Sequence, residues 1–241
     1  MAPRISNPQR PSSETADGRA AFGPRPILCA VLDGAGFGAD PYRRARELFE
    51  AGVDWIQLRD RTLEDRSLWQ IGCALVAARD ESGPADESSA GRRVILNRRF
   101  DLARALGADG VHLGFDALAP ETARSFLGSR ALLGASLHSL AEVKNAAQDG
   151  VDYAHLAPIW DPLSKDATRP ALGLDRFAEA CRLGLPLLAQ GGVDVERARE
   201  AIRAGATGVA VTGILASARS LGDAIRPLRE SLDDGRRSAI G

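Results

Sequence analysis

Three apolar runs in the C-terminal third each end in residues of the kind that hold a phosphate. Residues 151–157 run into Pro158-Ile-Trp-Asp-Pro-Leu-Ser-Lys165, residues 185–190 into Gly191-Gly192, and residues 207–211 into Thr212-Gly213. A glycine pair lets backbone N–H groups approach an anion closely, and a helix starting just beyond adds its positive N-terminal end. Earlier apolar runs end in Gln57, Arg59 and Arg61, in Asn97 and Arg98, in His112, Gly114 and Asp116, and in Ser136 and His138; the run before Lys165 adds Trp160, Asp161 and Ser164. Three arginines and a lysine with few carboxylates select an anionic ligand, a small phosphate or diphosphate ester.

The three histidines read differently. His138 follows the small-residue strand end Gly134-Ala-Ser-Leu and is the candidate for acid/base work. His112 lies inside a strand and reads as a packed residue, while His155 alternates with Tyr153 along a strand and reads as barrel interior. Three separated histidines make no zinc site, so no metal is expected from spacing alone. Trp55, Trp69 and Trp160 read as core or rim aromatics, with Trp160 on the active face. Cys29, Cys73 and Cys181 are scattered in apolar surroundings and read as buried thiols in a reducing cytoplasm. Only Lys144 and Lys165 are lysines among 31 basic residues; Lys144 belongs to an exposed helix face, whereas Lys165 falls in the loop at the phosphate end.

These residues need a scaffold that brings strand ends together. Eight short apolar runs, at residues 27–32, 54–58, 94–96, 110–113, 132–135, 153–157, 187–189 and 208–211, alternate with helix-like segments. That predicts a single-domain α/β protein, a (β/α)8 TIM barrel over residues 26–235 with its site at the strand C-termini. An internal repeat agrees: Ala51-Gly-Val-Asp-Trp, Leu106-Gly-Ala-Asp-Gly-Val, Asp149-Gly-Val-Asp-Tyr and Ala204-Gly-Ala-Thr-Gly-Val each place a helix-ending glycine and a small or acidic residue before a buried strand. Residues 81–91 read as a surface loop, and residues 1–25, rich in Pro, Ser, Arg and Ala, as a disordered tail without a secretory signal. A net charge of −1 argues against nucleic-acid binding, and no run is long enough to span a membrane.

Taken in order, Gln57-Leu-Arg59, Asn97 before Arg-Arg-Phe-Asp-Leu-Ala, Gly107-Ala-Asp-Gly-Val-His-Leu-Gly114, Gly134-Ala-Ser-Leu-His-Ser139, Ala157-Pro-Ile-Trp with Ser164-Lys165, Gly191-Gly192 and Val211-Thr212 resemble the thiamine phosphate synthase and TenI-like superfamily over most of the chain. The resemblance implies a cytoplasmic, homo-oligomeric enzyme of thiamine biosynthesis. It implies that Arg59, Arg61, Asn97 and Lys165 contact a diphosphate, Gln57 the pyrimidine, and Ser136 and Ser164 the leaving-group side, with Gly191, Gly192, Val211 and Thr212 cradling thiazole phosphate. Synthases of this family join hydroxymethylpyrimidine diphosphate to thiazole phosphate and hold magnesium on two aspartates. Those positions carry Arg98 and Ala117 here, with Asp116 one residue early, and an arginine both removes an oxygen ligand and repels the ion. The losses resemble the TenI-like branch, so the expected activity is a metal-independent thiazole tautomerase in which His138, with Lys165, moves the proton and no cofactor takes part. The alternatives are a thiamine phosphate synthase, with magnesium, and a barrel that binds the phosphate ligand without catalysis.

Overall fold

A computed structural model describes residues 22–82, 91–114, 117–161, 169–216, 218 and 220–240. Its eight parallel strands close into one barrel in sequence order, as the alternation predicts. The strands are β1 (Ile27–Leu32), β2 (Trp55–Leu58), β3 (Arg93–Asn97), β4 (Gly110–Leu113), β5 (Leu132–Leu137), β6 (Tyr153–Leu156), β7 (Leu187–Gln190) and β8 (Gly208–Val211). The helices are α1 (Gly34–Phe37), α2 (Pro41–Glu50), α3 (Asp65–Glu81), α4 (Phe100–Leu106), α5 (Pro120–Leu127), α6 (Leu140–Gln148), α7 (Leu174–Cys181), α8 (Val195–Arg203), α9 (Gly213–Ala216) and α10 (Leu221–Ile240). β5 runs two residues further than its apolar pattern suggests, which puts Ser136 on the strand itself.

Alternation along each strand separates two cores. Outward side chains such as Leu28, Ile56, Val94, Val111, Leu133, Leu156 and Val209 pack under the helices. Inward ones on β1, β2, β6, β7 and β8 are Ile27, Cys29, Val31, Trp55, Tyr153, Leu188 and Ala210. The floor of the barrel is aromatic: the Trp55 and Tyr153 rings meet edge-on at 4.9 Å, and Phe22 closes on Trp55 at 5.4 Å. Phe22 thus packs as core at the end of the segment expected to be tail, and Arg25 pairs with Asp233 at 3.2 Å.

The sequence repeat acquires a physical meaning at this end. Asp54, Asp109 and Asp152, each just before an even-numbered strand, accept the backbone N–H of Leu28, Val94 and Leu133 on the preceding strand, all at 2.8 Å. Each carboxylate is also held by an arginine from the helical layer: Arg229 at 2.9 Å, Arg79 at 2.6 Å and Arg124 at 2.5 Å. The repeat glycines Gly52, Gly107, Gly150 and Gly205 all have positive φ, the conformation that ends the helix and turns the chain into the strand.

Two expectations change. Cys29 is buried, and burial pushes its thiol pKa up, but Cys73 is exposed on α3, and Cys181, at the end of α7, is half-buried against the core. Trp69 is 39 % exposed on α3 and belongs to neither core nor active face. No helix among the described residues is long and apolar enough to cross a membrane.

Candidate active site

The C-terminal ends of the strands surround a cavity of about 480 Å³. Arg59, Arg61, Asn97, Gly114, Ser136 and His138 line one side of it. Gln190, Gly191, Gly192, Val211, Thr212 and Gly213 line the other, and Arg169 completes the wall. Of the expected site residues, Lys165 and Ser164 lie outside the described residues, as does Asp116. Gln57 is not on the wall: it is 1 % exposed, one layer down, and donates to the Asn97 side chain at 3.5 Å.

The anion cradle is built by local sterics. Gly191 and Gly192 have φ of 90° and 66°. A Cβ on Gly191 would meet Pro158 at 2.8 Å, and one on Gly192 would sit 2.2 Å from the Asp161 carbonyl oxygen, so only glycine lets β7 turn beside the loop after β6. The helix expected to aim at the anion from this turn is capped by its own chain: the Asp194 side chain accepts from Arg197 N at 2.9 Å at the start of α8. The helix that opens directly onto the cavity is α9, beginning at Gly213 after Thr212. Trp160 does not line the cavity; the Arg197 guanidinium lies 5.8 Å from its ring centroid, while Arg197 Nη1 donates to the Gly192 carbonyl at 2.7 Å.

The opposite wall is cationic. Asp60 pins the loop that carries Arg59 and Arg61: its carboxylate accepts from the backbone N–H groups of Gly34, Thr62 and Leu63 at 2.8–3.0 Å. Burial pushes the Asp60 pKa up, but these donors outweigh it and hold the carboxyl down at about 2. Partial burial and the neighbouring Arg61 guanidinium lower the pKa of Arg59, against the pull of the Asp33 carboxylate. Arg169 was not anticipated; its only signal is a position just before Pro170 in the segment joining β6 to α7, four residues beyond the lysine that drew attention. Arg98, counted among the converging arginines, is not on the wall. It is the one non-glycine residue with positive φ (67°) among the described residues, and its N–H donates to the His112 carbonyl at 3.0 Å.

No carboxylate lines the cavity among the described residues, and none of their histidine, cysteine and acidic side chains group as metal ligands. Arg98 and Ala117 hold the two positions where the family resemblance implies magnesium-binding aspartates, so the donors among the described residues do not fit a divalent ion.

His138, just past β5, has its Nδ1 2.6 Å from the Ala157 carbonyl. A carbonyl only accepts, so Nδ1 carries the hydrogen and Nε2 is the nitrogen left to act as a base. Ser139 caps α6 by accepting from Glu142 N at 3.2 Å, and the Glu142 carboxylate accepts from His138 N at 2.6 Å, which fixes the backbone beneath the imidazole. Ser136 is held from below by His112 at 2.9 Å.

A sequence model of the thiamine monophosphate synthase family matches residues 28–215. The chain is 39% identical to a thiamine-phosphate synthase of Methanoculleus marisnigri, over 78% of this chain and 86% of that one. It is 35% identical to another of Azorhizobium caulinodans, over 79% and 87%. Among solved structures it superposes on a thiamine phosphate pyrophosphorylase from Pyrococcus furiosus with a TM-score of 0.76 at 24% identity, covering 90% of this chain and 98% of that one. A geranylgeranylglyceryl phosphate synthase from Thermoplasma acidophilum superposes at 0.64 and 16% identity, covering 87% and 94%. Both superpositions speak to the barrel fold alone. The family match, which spans nearly all of the barrel, and the identity to these relatives establish that the chain belongs to the thiamine monophosphate synthase family, the superfamily that includes the TenI-like proteins.

Proposed function

We propose that this enzyme is a thiamine phosphate synthase, joining hydroxymethylpyrimidine diphosphate to thiazole phosphate. The observation that carries the reading is one cavity with two anion-holding walls, the Gly191-Gly192 and Thr212 turns on one side and Arg59 and Arg61 on the other, with Arg169 as a third lining guanidinium. Two phosphorylated substrates need both walls; a tautomerase acting on thiazole phosphate alone needs one. The relatives named as synthases favour the same choice over the tautomerase first expected.

In this reaction the bond between the pyrimidine methylene carbon and the diphosphate oxygen breaks, and the diphosphate leaves with the electron pair. The thiazole nitrogen then gives its lone pair to the methylene carbon, forming the new C–N bond and thiamine phosphate. Charge grows on the departing oxygen, and fixed cations aimed at that position lower the barrier most. The three guanidiniums take that role, with the Asn97 amide and the Ser136 hydroxyl as further donors.

His138 supports a second reading. Its Nε2 is free of the Ala157 contact and can move a proton on a thiazole ring, the TenI-like chemistry. The test is product analysis of purified protein given both substrates, with magnesium or with a chelator. Thiamine phosphate in both conditions is the expected result. Product only with magnesium keeps the synthase and removes the guanidinium account. No thiamine phosphate, with thiazole tautomerisation that His138→Ala abolishes, overturns the synthase in favour of the second reading.

A further inference from the structure

Below the cavity, His112, Gly134 and Tyr153 sit side by side on β4, β5 and β6, His112 in register with Gly134 and Gly134 with Tyr153. The glycine between them is a gap. A Cβ on Gly134 would lie 2.2 Å from Tyr153 Cζ and 2.5 Å from its hydroxyl, so the tyrosine crosses a whole strand through the space a side chain would fill. Its hydroxyl arrives 3.3 Å from His112 Nδ1, and His112 Nε2 lies 2.9 Å from the Ser136 hydroxyl on the cavity wall.

Burial, reinforced by His155 and Arg59, depresses the His112 pKa well below its ordinary value, and burial raises that of Tyr153 well above. The ring is therefore neutral and the phenol protonated. A neutral imidazole has one donor and one acceptor nitrogen. Among the described residues the phenol hydrogen has one acceptor in reach, Nδ1, and the opposite arrangement would leave that hydrogen buried with no acceptor. The hydrogen of His112 is then on Nε2 and points at the Ser136 oxygen. Ser136 accepts from below, so its own hydrogen turns away from the ring, into the cavity.

We propose that His112 is a positioning residue, locked by Tyr153 through the Gly134 gap into the tautomer that makes Ser136 an obligate donor to the oxyanion in the cavity. The chain Tyr153 to His112 to Ser136 to ligand runs in one direction, and each bond in it polarises the next. The proposal rests on the cavity holding the diphosphate of the function given above, but not on which bond the enzyme makes or breaks.

Two measurements test it. The chain has three histidines, His112, His138 and His155, so 15N-histidine labelling with assignment by single substitutions reads each tautomer directly. His112 is expected as the Nε2–H form; an Nδ1–H form, or exchange between the two, overturns the relay. Calorimetric titration with inorganic pyrophosphate gives the second readout. Ser136→Ala should weaken binding about tenfold and Tyr153→Phe about fivefold, with the double variant no weaker than Ser136→Ala alone. A tyrosine with a merely structural role would leave pyrophosphate affinity at the wild-type value, or multiply its loss with that of Ser136→Ala, and either result sinks the proposal. So does a wild-type protein that binds no pyrophosphate. Pyrophosphate binding with an intact relay but no thiamine phosphate from the two substrates would instead overturn the assigned function and leave His112 in its role.

Discussion

The two ends of the barrel use the same residue type for opposite purposes. At the N-terminal end Arg79, Arg124 and Arg229 each meet an aspartate that is also bonded to a neighbouring strand's backbone. At the C-terminal end Arg59, Arg61 and Arg169 line a cavity with no carboxylate among its described residues. The first arrangement closes its electrostatics within the chain and spends them on holding strands together. In the second, Arg59 has its pKa lowered by partial burial and by Arg61 against the opposite pull of Asp33, and sits beside the ligand space at a cost to folding. Separating the signs in this way lets the floor set stability and the mouth set binding, and substitutions at the two ends should fail in different assays.

The largest effect belongs to the floor. Asp54 and Arg229 are nearly fully buried, with 4 % and 6 % of their side chains exposed. Asp54→Ala takes the acceptor from the Leu28 N–H and leaves Arg229 with Asp233, 2.7 Å away; it should cost about 2–4 kcal/mol in urea unfolding, while the folded fraction keeps its affinity for pyrophosphate. The complementary experiment is Arg59→Gln at the mouth. It should remove about 1.5–3 kcal/mol of pyrophosphate binding and change the unfolding free energy by less than about 0.5 kcal/mol. If Arg59→Gln instead unfolds the protein, or Asp54→Ala abolishes binding in folded protein, the division of labour between the ends is wrong.

The interior between them titrates in its own window. His155 is buried and its pKa is pushed down to about 3, and the His112 pKa moves in the same direction. The unfolded chain therefore binds protons that the folded chain does not, from the ordinary histidine range near 6.5 downward. Stability should be full above pH 6.5 or so and fall as the pH drops, by at most about 1.4 kcal/mol per pH unit for each histidine. Asp60 and Asp101, with carboxyls held at about 2, act in the same direction only below the ordinary carboxylate range, so a decline already present at pH 5–6 is histidine-borne. Urea midpoints measured from pH 7.5 to 4.5 check it, and a flat profile would mean that the two imidazoles are hydrated.

How much of this was legible in the sequence differs between strands and site. The eight strands, their order and the glycine-ended repeat follow from short-range periodicity and turn chemistry, which the neighbouring residues fix among themselves. Gly191, Gly192 and Thr212 were readable for the same reason. Gln57 was placed on the wall because strand ends face the cavity, but it lies one layer lower, since shear between strands sets depth and no single strand reveals it. Arg169 went unread because loop residues reach a cavity through tertiary placement alone. His112 read as packing, and it is packed; what alternation could not show is that Gly134, one strand over, opens the route by which Tyr153 sets its tautomer.

The smallest predicted effect tests whether the floor staples are required for closure. Thr207 stands before β8 where Asp54, Asp109 and Asp152 stand before β2, β4 and β6, and its N–H reaches the Leu187 carbonyl at 2.8 Å as theirs reach the preceding strands. It has no carboxylate to offer, and its buried hydroxyl has no hydrogen-bond partner among the described residues. The barrel thus closes with three staples in four positions, so backbone pairing alone is enough at the fourth. Thr207→Val removes an unsatisfied polar atom and keeps the shape, and it should leave the unfolding free energy unchanged or raise it by up to about 1 kcal/mol. Thr207→Asp, which restores the carboxylate without an arginine to meet it, should destabilise by about 1–3 kcal/mol. If the aspartate stabilises instead, the carboxylate's bond to the neighbouring strand is the useful half of each staple, and the arginines on the floor serve mainly to neutralise it.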